Sequence, residues 1–391
     1  MSIYLDYAAT TPMPEGVAEV YTQALTVVGN PSSVHQQGQA ARVMVEEARA
    51  TLGELLGVDP MEVTFTSGGT ESINTWLKGR TFAHRSARGA SEPLYLVLTR
   101  AEHHATLDAV EWLEKHGFAT PLWVAVDPDG VMDLEDLERV LGSVPSEQIA
   151  GVTTLVANNE VGSIQPVESI VELARAHGDI PVHLDAIQAF GQIPLNVPEL
   201  GADAVSISAH KLGGPVGVGA LVMRRGASPI ETLLHGGNQQ PSRSGTLDAA
   251  GAHVFAHVAR QSVETMVARH EQLSQLRDLL MDGLAAYPGV EVRGSISTRL
   301  PNNVHVTLQG AKGEVALYLF DEQGVSVSTG SACQAGVAEE SHVLRAMGCD
   351  SATASSALRL TLGSSTTQAE VERVVELFPG VLEKARAASG K

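Results

Sequence analysis

The chain has 391 residues, which at roughly 150 residues per domain fits two or three lobes, and its 43% hydrophobic content excludes disorder and low complexity. Lys and Arg number 26 against 45 Asp and Glu, a formal balance of −19, which excludes a basic footprint for nucleic acid or for an anionic membrane. The two cysteines, Cys333 and Cys349, exclude a disulfide framework and any all-cysteine zinc or iron–sulfur site within one chain.

The N-terminal residues carry no basic region and no long apolar stretch, and no run approaches the ~18 apolar residues of a membrane span. The expected compartment is the cytoplasm. Helical spacing of apolar residues covers 40–56, and 62–66 is a short β-rich run. Ser67, Gly68, Gly69, Thr70, Glu71 and Ser72 follow it and open a helix. Glycines there allow close approach of an anion, and a helix N-terminus offers free N–H groups. The segment reads either as a phosphate cup or as an ordinary capped strand–helix turn. It is not a P-loop, because the Gly-Lys-Ser/Thr ending is missing.

Strands are predicted at 95–99, 122–126, 153–157 and 180–184, with helices at 102–115, 134–141 and 167–177 between them. Asp185 ends a very apolar strand, where a carboxylate is costly unless it meets a positive partner. A protonated pyridine nitrogen is such a partner. His183 and Asp185 also share one strand face, a pair that suits a metal, but no third ligand is evident nearby. A strand at 204–208 then delivers Ser208, His210 and Lys211 to the sheet edge, before a glycine-rich turn and a strand at 219–223. Lys211 reads as a Schiff-base lysine with a lowered pKa or as a solvated loop lysine. The alternation of strands and helices implies a mostly parallel sheet covered on both faces.

A long helical stretch at about 246–286 breaks this rhythm. Shorter strands follow at 290–293, 303–307, 325–328 and 358–361, with helices at 313–322 and 367–387. Cys333 lies among small, polar residues that argue for exposure, whereas Cys349 ends a short helix and reads as structural. Arg359 sits within an apolar strand and needs a carboxylate from protein or substrate. A phosphate cup, a carboxylate for a ring nitrogen and a Schiff-base lysine, all at strand ends, together match what pyridoxal phosphate requires.

Nearly end to end, the chain resembles cysteine desulfurases of the NifS/IscS type, in the class V aminotransferase group of fold-type I pyridoxal-phosphate enzymes. The resemblance rests on residues 4–12, 29–35, 65–72, 102–103, 158–162, 183–188, 208–211, 243–246 and 330–333. It implies an α/β large domain at 13–255 with a mostly parallel seven-stranded sheet. A smaller α+β domain would comprise 1–12 and 256–391 and carry the cysteine loop. Lys211 would hold pyridoxal 5'-phosphate, His103 would stack on its ring, Asp185 would pair with the ring nitrogen and Gln188 with the phenolic oxygen. Gly69, Thr70, Ser208 and His210 would hold the phosphate, with Thr246 reaching the phosphate of a neighbouring subunit in a homodimer. Asn159 and Arg359 would bind the carboxylate of L-cysteine. Cys333 would accept the sulfur and pass it to an acceptor protein, an iron–sulfur scaffold or a tRNA-thiolation enzyme. No resident metal is implied, with Cys333 at most a transient iron–sulfur ligand, and no direct nucleic-acid or membrane partner.

Two departures from the family pattern stand out. The segment 236–242 before Arg243 is one residue shorter than usual and lacks a glutamate, and Gln334 stands where threonine is frequent. Three rival readings make different demands. A selenocysteine lyase shares the cofactor and much of the fold. A class V aminotransferase for small amino acids needs no Cys333. A non-catalytic scaffold binds no cofactor.

Overall fold

The computed structural model describes residues 2–88, 92–237, 239–330 and 339–390. Twelve strands are present among them: β1 Ile3–Tyr4, β2 Val63–Thr66, β3 Tyr95–Thr99, β4 Thr120–Val124, β5 Ile149–Leu155, β6 Val182–Asp185, β7 Ala204–Ser208, β8 Gly219–Met223, β9 Val290–Val292, β10 Asn303–Leu308, β11 Val325–Ser326 and β12 Ala357–Thr361. Seven form one sheet in the order β2-β8-β7-β6-β5-β3-β4. Only β8 runs against the others. A second sheet has the order β12-β10-β9, and β1 pairs with β11.

The large sheet is buried on both faces, as its continuous apolar strands require. Helices Gln36–Leu56, Gly69–Arg88, His104–Lys115 and Val167–Ala176 accompany it. Residues between Val17 and Ala259, with Leu300, form its main core; a separate core gathers Ile3 and Leu5 with residues between Leu273 and Ala385. The N-terminal segment therefore packs with the C-terminal sheet. Leu5 is fully buried there, Thr361 donates its N–H to the Leu5 carbonyl at 2.8 Å, and Ala8 N–H reaches Thr361 Oγ1 at 2.9 Å.

Three local expectations need correction. The stretch 246–286 is two helices, Ala249–Glu264 and Met266–Ala285. The break is at Thr265, which leaves helical geometry at φ −93° and ψ −2°. No glycine or proline marks it, so the pattern reads through. The strand placed at 153–157 is Ile149–Leu155; Gly151 interrupts its apolar run, so the sequence pattern starts it late. That glycine lies under an aromatic ring: a Cβ there would come within 2.6 Å of Trp76. Helix Val17–Leu25, which the pattern missed, starts after Gly16 in the left-handed region at φ +82°.

Candidate active site

The carboxyl ends of β5, β6 and β7 open into one cavity of about 490 Å³. Gly69, Thr70, His103, Asn159, Asp185, Gln188, Ser208, His210, Lys211 and Arg359 all line it. Thr246 does not, and is exposed on the surface. Cys333 lies outside the described residues. Ser328 and Gly330, the described residues that precede it in the chain, also line the cavity.

Lys211 follows β7 in a short 3-10 turn, Ala209–Leu212. Its Nζ donates to the carbonyls of Ala8 at 2.5 Å and Ala9 at 2.9 Å. Burial, helped by the nearby Arg359 charge, pushes its pKa down to about 8. The neutral amine is therefore within reach near physiological pH, a property of nucleophilic lysines.

Asp185 ends β6 and is 2% exposed. Burial raises its pKa to about 6, although Ile187 N–H donates to Oδ1 at 3.0 Å. A carboxylate held this way favours a cation at its free oxygen. His183, two residues earlier, is committed elsewhere. Its ring is hydrogen-bonded to Thr153 Oγ1 at 2.9 Å and Ser206 Oγ at 2.8 Å, and stacks on Trp76 at 4.9 Å. Both nitrogens are spent within the core, which leaves none for a metal.

His103 caps the helix His104–Lys115, its Nδ1 accepting from Ala105 N–H at 3.0 Å. That bond leaves the ring proton on Nε2. The surrounding walls displace solvent and push the His103 pKa down to about 4, with Lys211 adding to the effect. The ring is thus a neutral donor. His210 is held down to about 4 by burial and by Lys211 in the same way.

An anion-binding end is also present. Helix Gly69–Arg88 points its N-terminus at the cavity. Ser208 Oγ is buried there with no hydrogen-bond partner, an orphan that asks for a ligand. A Cβ at Gly69 would come within 2.0 Å of the Ile187 side-chain tip, which would have to move into the cavity wall.

At the opposite wall Arg359 projects from β12. Its Nη1 donates to the Asn159 carbonyl at 2.9 Å and its Nη2 to Asp6 Oδ1 at 2.8 Å. Nε has no partner. A buried guanidinium with a free N–H suits a ligand carboxylate.

Five contributors carried no assigned role in the sequence. The Ala8 and Ala9 carbonyls hold Lys211, and Asp6 holds Arg359. Glu102 is 2% exposed and ties β3 to β5, accepting from Thr99 Oγ1 at 2.8 Å and from Leu155 N–H at 2.9 Å. Burial raises its pKa to about 8, so it stays uncharged beside Asp185. His342 lines the cavity and hydrogen-bonds to the Glu102 carbonyl at 2.9 Å. The motifs 4–12 and 102–103 were visible in the sequence, but backbone acceptors leave no signature in residue types.

The Aminotransferase class-V family model matches residues 3–374. The chain is 42% identical to an IscS-like cysteine desulfurase of Mycobacterium tuberculosis, over 99% of this chain and 98% of that protein. It is 39% identical to the cysteine desulfurase IscS of Dictyoglomus turgidum, over 99% and 96%. Among solved structures it resembles a NifS-like protein with a TM-score of 0.89 and 34% identity, over 98% of this chain and 100% of the other.

Proposed function

The chain belongs to the class-V aminotransferase family, and on that premise we propose that it is a pyridoxal-phosphate-dependent cysteine desulfurase. The carrying observation is one cavity that holds an orphaned anion donor, a buried carboxylate, a low-pKa lysine and a carboxylate-seeking arginine. These fit the cofactor group by group. Ser208, His210, Gly69 and Thr70 would hold the phosphate, Asp185 the ring nitrogen and Gln188 the phenolic oxygen. Pyridoxal phosphate, when bound, supplies an aldehyde that captures amines and a protonated ring that accepts electrons.

The chain's own residues do the rest. Asp185 keeps the ring nitrogen protonated. His103, neutral, would face the ring without adding charge. Lys211 would hold the cofactor aldehyde and, as a free amine, would take the proton from the substrate's α-carbon. Arg359 and Asn159 fix the carboxylate of L-cysteine. The Cys333 thiolate attacks the substrate sulfur. A sulfur–sulfur bond forms, the substrate's carbon–sulfur bond breaks with its electron pair going to the β-carbon, which takes a proton, and Lys211 returns the α-proton to give alanine. The Cys333 persulfide then passes to an acceptor protein, an iron–sulfur scaffold or a tRNA-thiolation enzyme. We place this work in the cytoplasm; no helix of the described residues is long and apolar enough to cross a membrane. We assign 13–255 to the cofactor-binding domain and 1–12 with 256–391 to the smaller one, on the support of the two separate cores. Thr246, exposed on one chain, would complete the site of a second copy in a homodimer.

The test is Cys333→Ala in the cofactor-loaded protein. It keeps cofactor and cysteine binding but yields no protein persulfide and almost no alanine. Normal alanine release in this variant would overturn the assignment. Comparing turnover of selenocysteine and cysteine separates the lyase reading. Arg359→Lys keeps the charge but loses the planar fork. It is expected to raise the KM for cysteine about tenfold with a smaller change in kcat, the pattern of lost ground-state binding. Equal loss in both parameters would place Arg359 elsewhere.

A further inference from the structure

The segment that departs from the family pattern has a definite shape. Gln240, Pro241, Ser242 and Arg243 make a four-residue turn closed by an antiparallel bridge between Gln240 and Arg243. Proline stands second and Ser242 third, at φ +57°, the type II arrangement that favours glycine or asparagine at the third place. The strained serine is held because both ends of the turn are anchored.

Gln240 anchors one end. β2 is the edge strand of the large sheet, so its outward backbone groups have no strand to pair with. Gln240 is 8% exposed, accepts from Phe65 N–H at 3.0 Å and donates to the Phe65 carbonyl at 2.5 Å. One side-chain amide thus replaces one residue of a missing strand. Arg49 continues the row by donating to the Val63 carbonyl, and lies over the Phe65 ring at 5.3 Å.

Arg243 anchors the other end. Its Nε donates to Glu71 Oε1 at 2.9 Å, with both side chains largely covered. Glu71 Oε2 in turn accepts from Ser67 N–H at 2.6 Å. Phe65 precedes the anion cup and Glu71 lies in its helical end. The turn therefore grips the strand entering the cup and the helix leaving it. It also solves a charge problem. Glu71 sits in the first helical turn, where its negative charge opposes an arriving anion, and Arg243 balances that charge.

We propose that the turn 240–243 is a bracket that positions the anion cup of this chain for the cofactor's phosphate, with Gln240 and Arg243 as its positioning residues. The proposal rests on the pyridoxal-phosphate reading above. Neither residue touches the cavity. Their effect is on how well the free backbone N–H groups at the helix start, Gly69 and Thr70, are aimed before the phosphate arrives, which is preorganisation.

The experiment measures the Kd of the apo protein for pyridoxal phosphate and for pyridoxal, the same aldehyde without its phosphate. Gln240→Ala is expected to raise the Kd for pyridoxal phosphate about tenfold and leave that for pyridoxal unchanged. Arg243→Gln is expected to do the same by exposing the Glu71 charge, and serves alone if Gln240→Ala does not fold. Unchanged affinity for pyridoxal phosphate in a folded variant would overturn the proposal. So would an equal loss for both ligands, which marks a general structural role. A parent protein that binds neither ligand refutes the functional reading instead, so the two failures are distinguishable.

Discussion

Lys211→Ala is expected to lower alanine release from cysteine by about 10³-fold or more, because one side chain both carries the cofactor and moves the proton. Its environment prepares it for both tasks. At its pKa of about 8, about a quarter of the amine is neutral at pH 7.5. An ordinary lysine would have about one part in 10³ neutral at that pH. The pull comes from burial and from Arg359, while the Ala8 and Ala9 carbonyls hold Nζ in place. The variant leaves the Asp185 and Arg359 walls intact, so it should still fold. The check is alanine release by the purified variant, with added ethylamine as a substitute base. Turnover within tenfold of the parent would remove Lys211 from the mechanism.

Asp185→Asn is expected to cost about 10²-fold in kcat, comparable to losing one preorganised electrostatic contact in a water-poor site. The pH dependence makes the prediction sharper. Before a ring nitrogen arrives, burial holds the Asp185 pKa up at about 6, even with the Ile187 N–H and the Lys211 charge pulling it down. A protonated ring nitrogen favours the carboxylate, so binding it drives a proton off Asp185 below that pH. Cofactor affinity therefore rises with pH up to about 6 and gains nothing more from this group above it. The Asn variant should lose that component while other titrations persist in both proteins. Subtracting the two affinity–pH profiles isolates Asp185. A flat difference across pH 5–7 would count against its role.

The sequence made most of this site legible because its side chains sit at strand ends. β6 and β7 are short apolar runs, so the polar residues that close them stand out, and Asp185, Ser208 and Lys211 follow directly. Arg359 was visible for the same reason, as the charged residue in an apolar strand. What stayed hidden depends on distance along the chain or on backbone atoms. No pattern links Asp6 to Arg359, 353 residues away. Thr265 breaks a helix through local geometry alone, with no breaker residue to announce it. Gln240 looked like part of a shortened loop. Only the bare edge of β2 explains why a glutamine amide belongs there.

The seating of the N-terminal segment sets a timetable for the molecule. Ile3 pairs with Val325, Ala8 bonds to Thr361, and the Ala8 carbonyl then holds Lys211. On the ribosome the first residues emerge long before those partners exist. At about 5–20 residues per second, the segment waits about 20–70 seconds for its strand. The larger lobe can close its sheet in that interval, while residues 3–8 wait for β11 and β12 to be made. A chain released early would thus carry a complete large sheet and an N-terminal strand without its pairing partner.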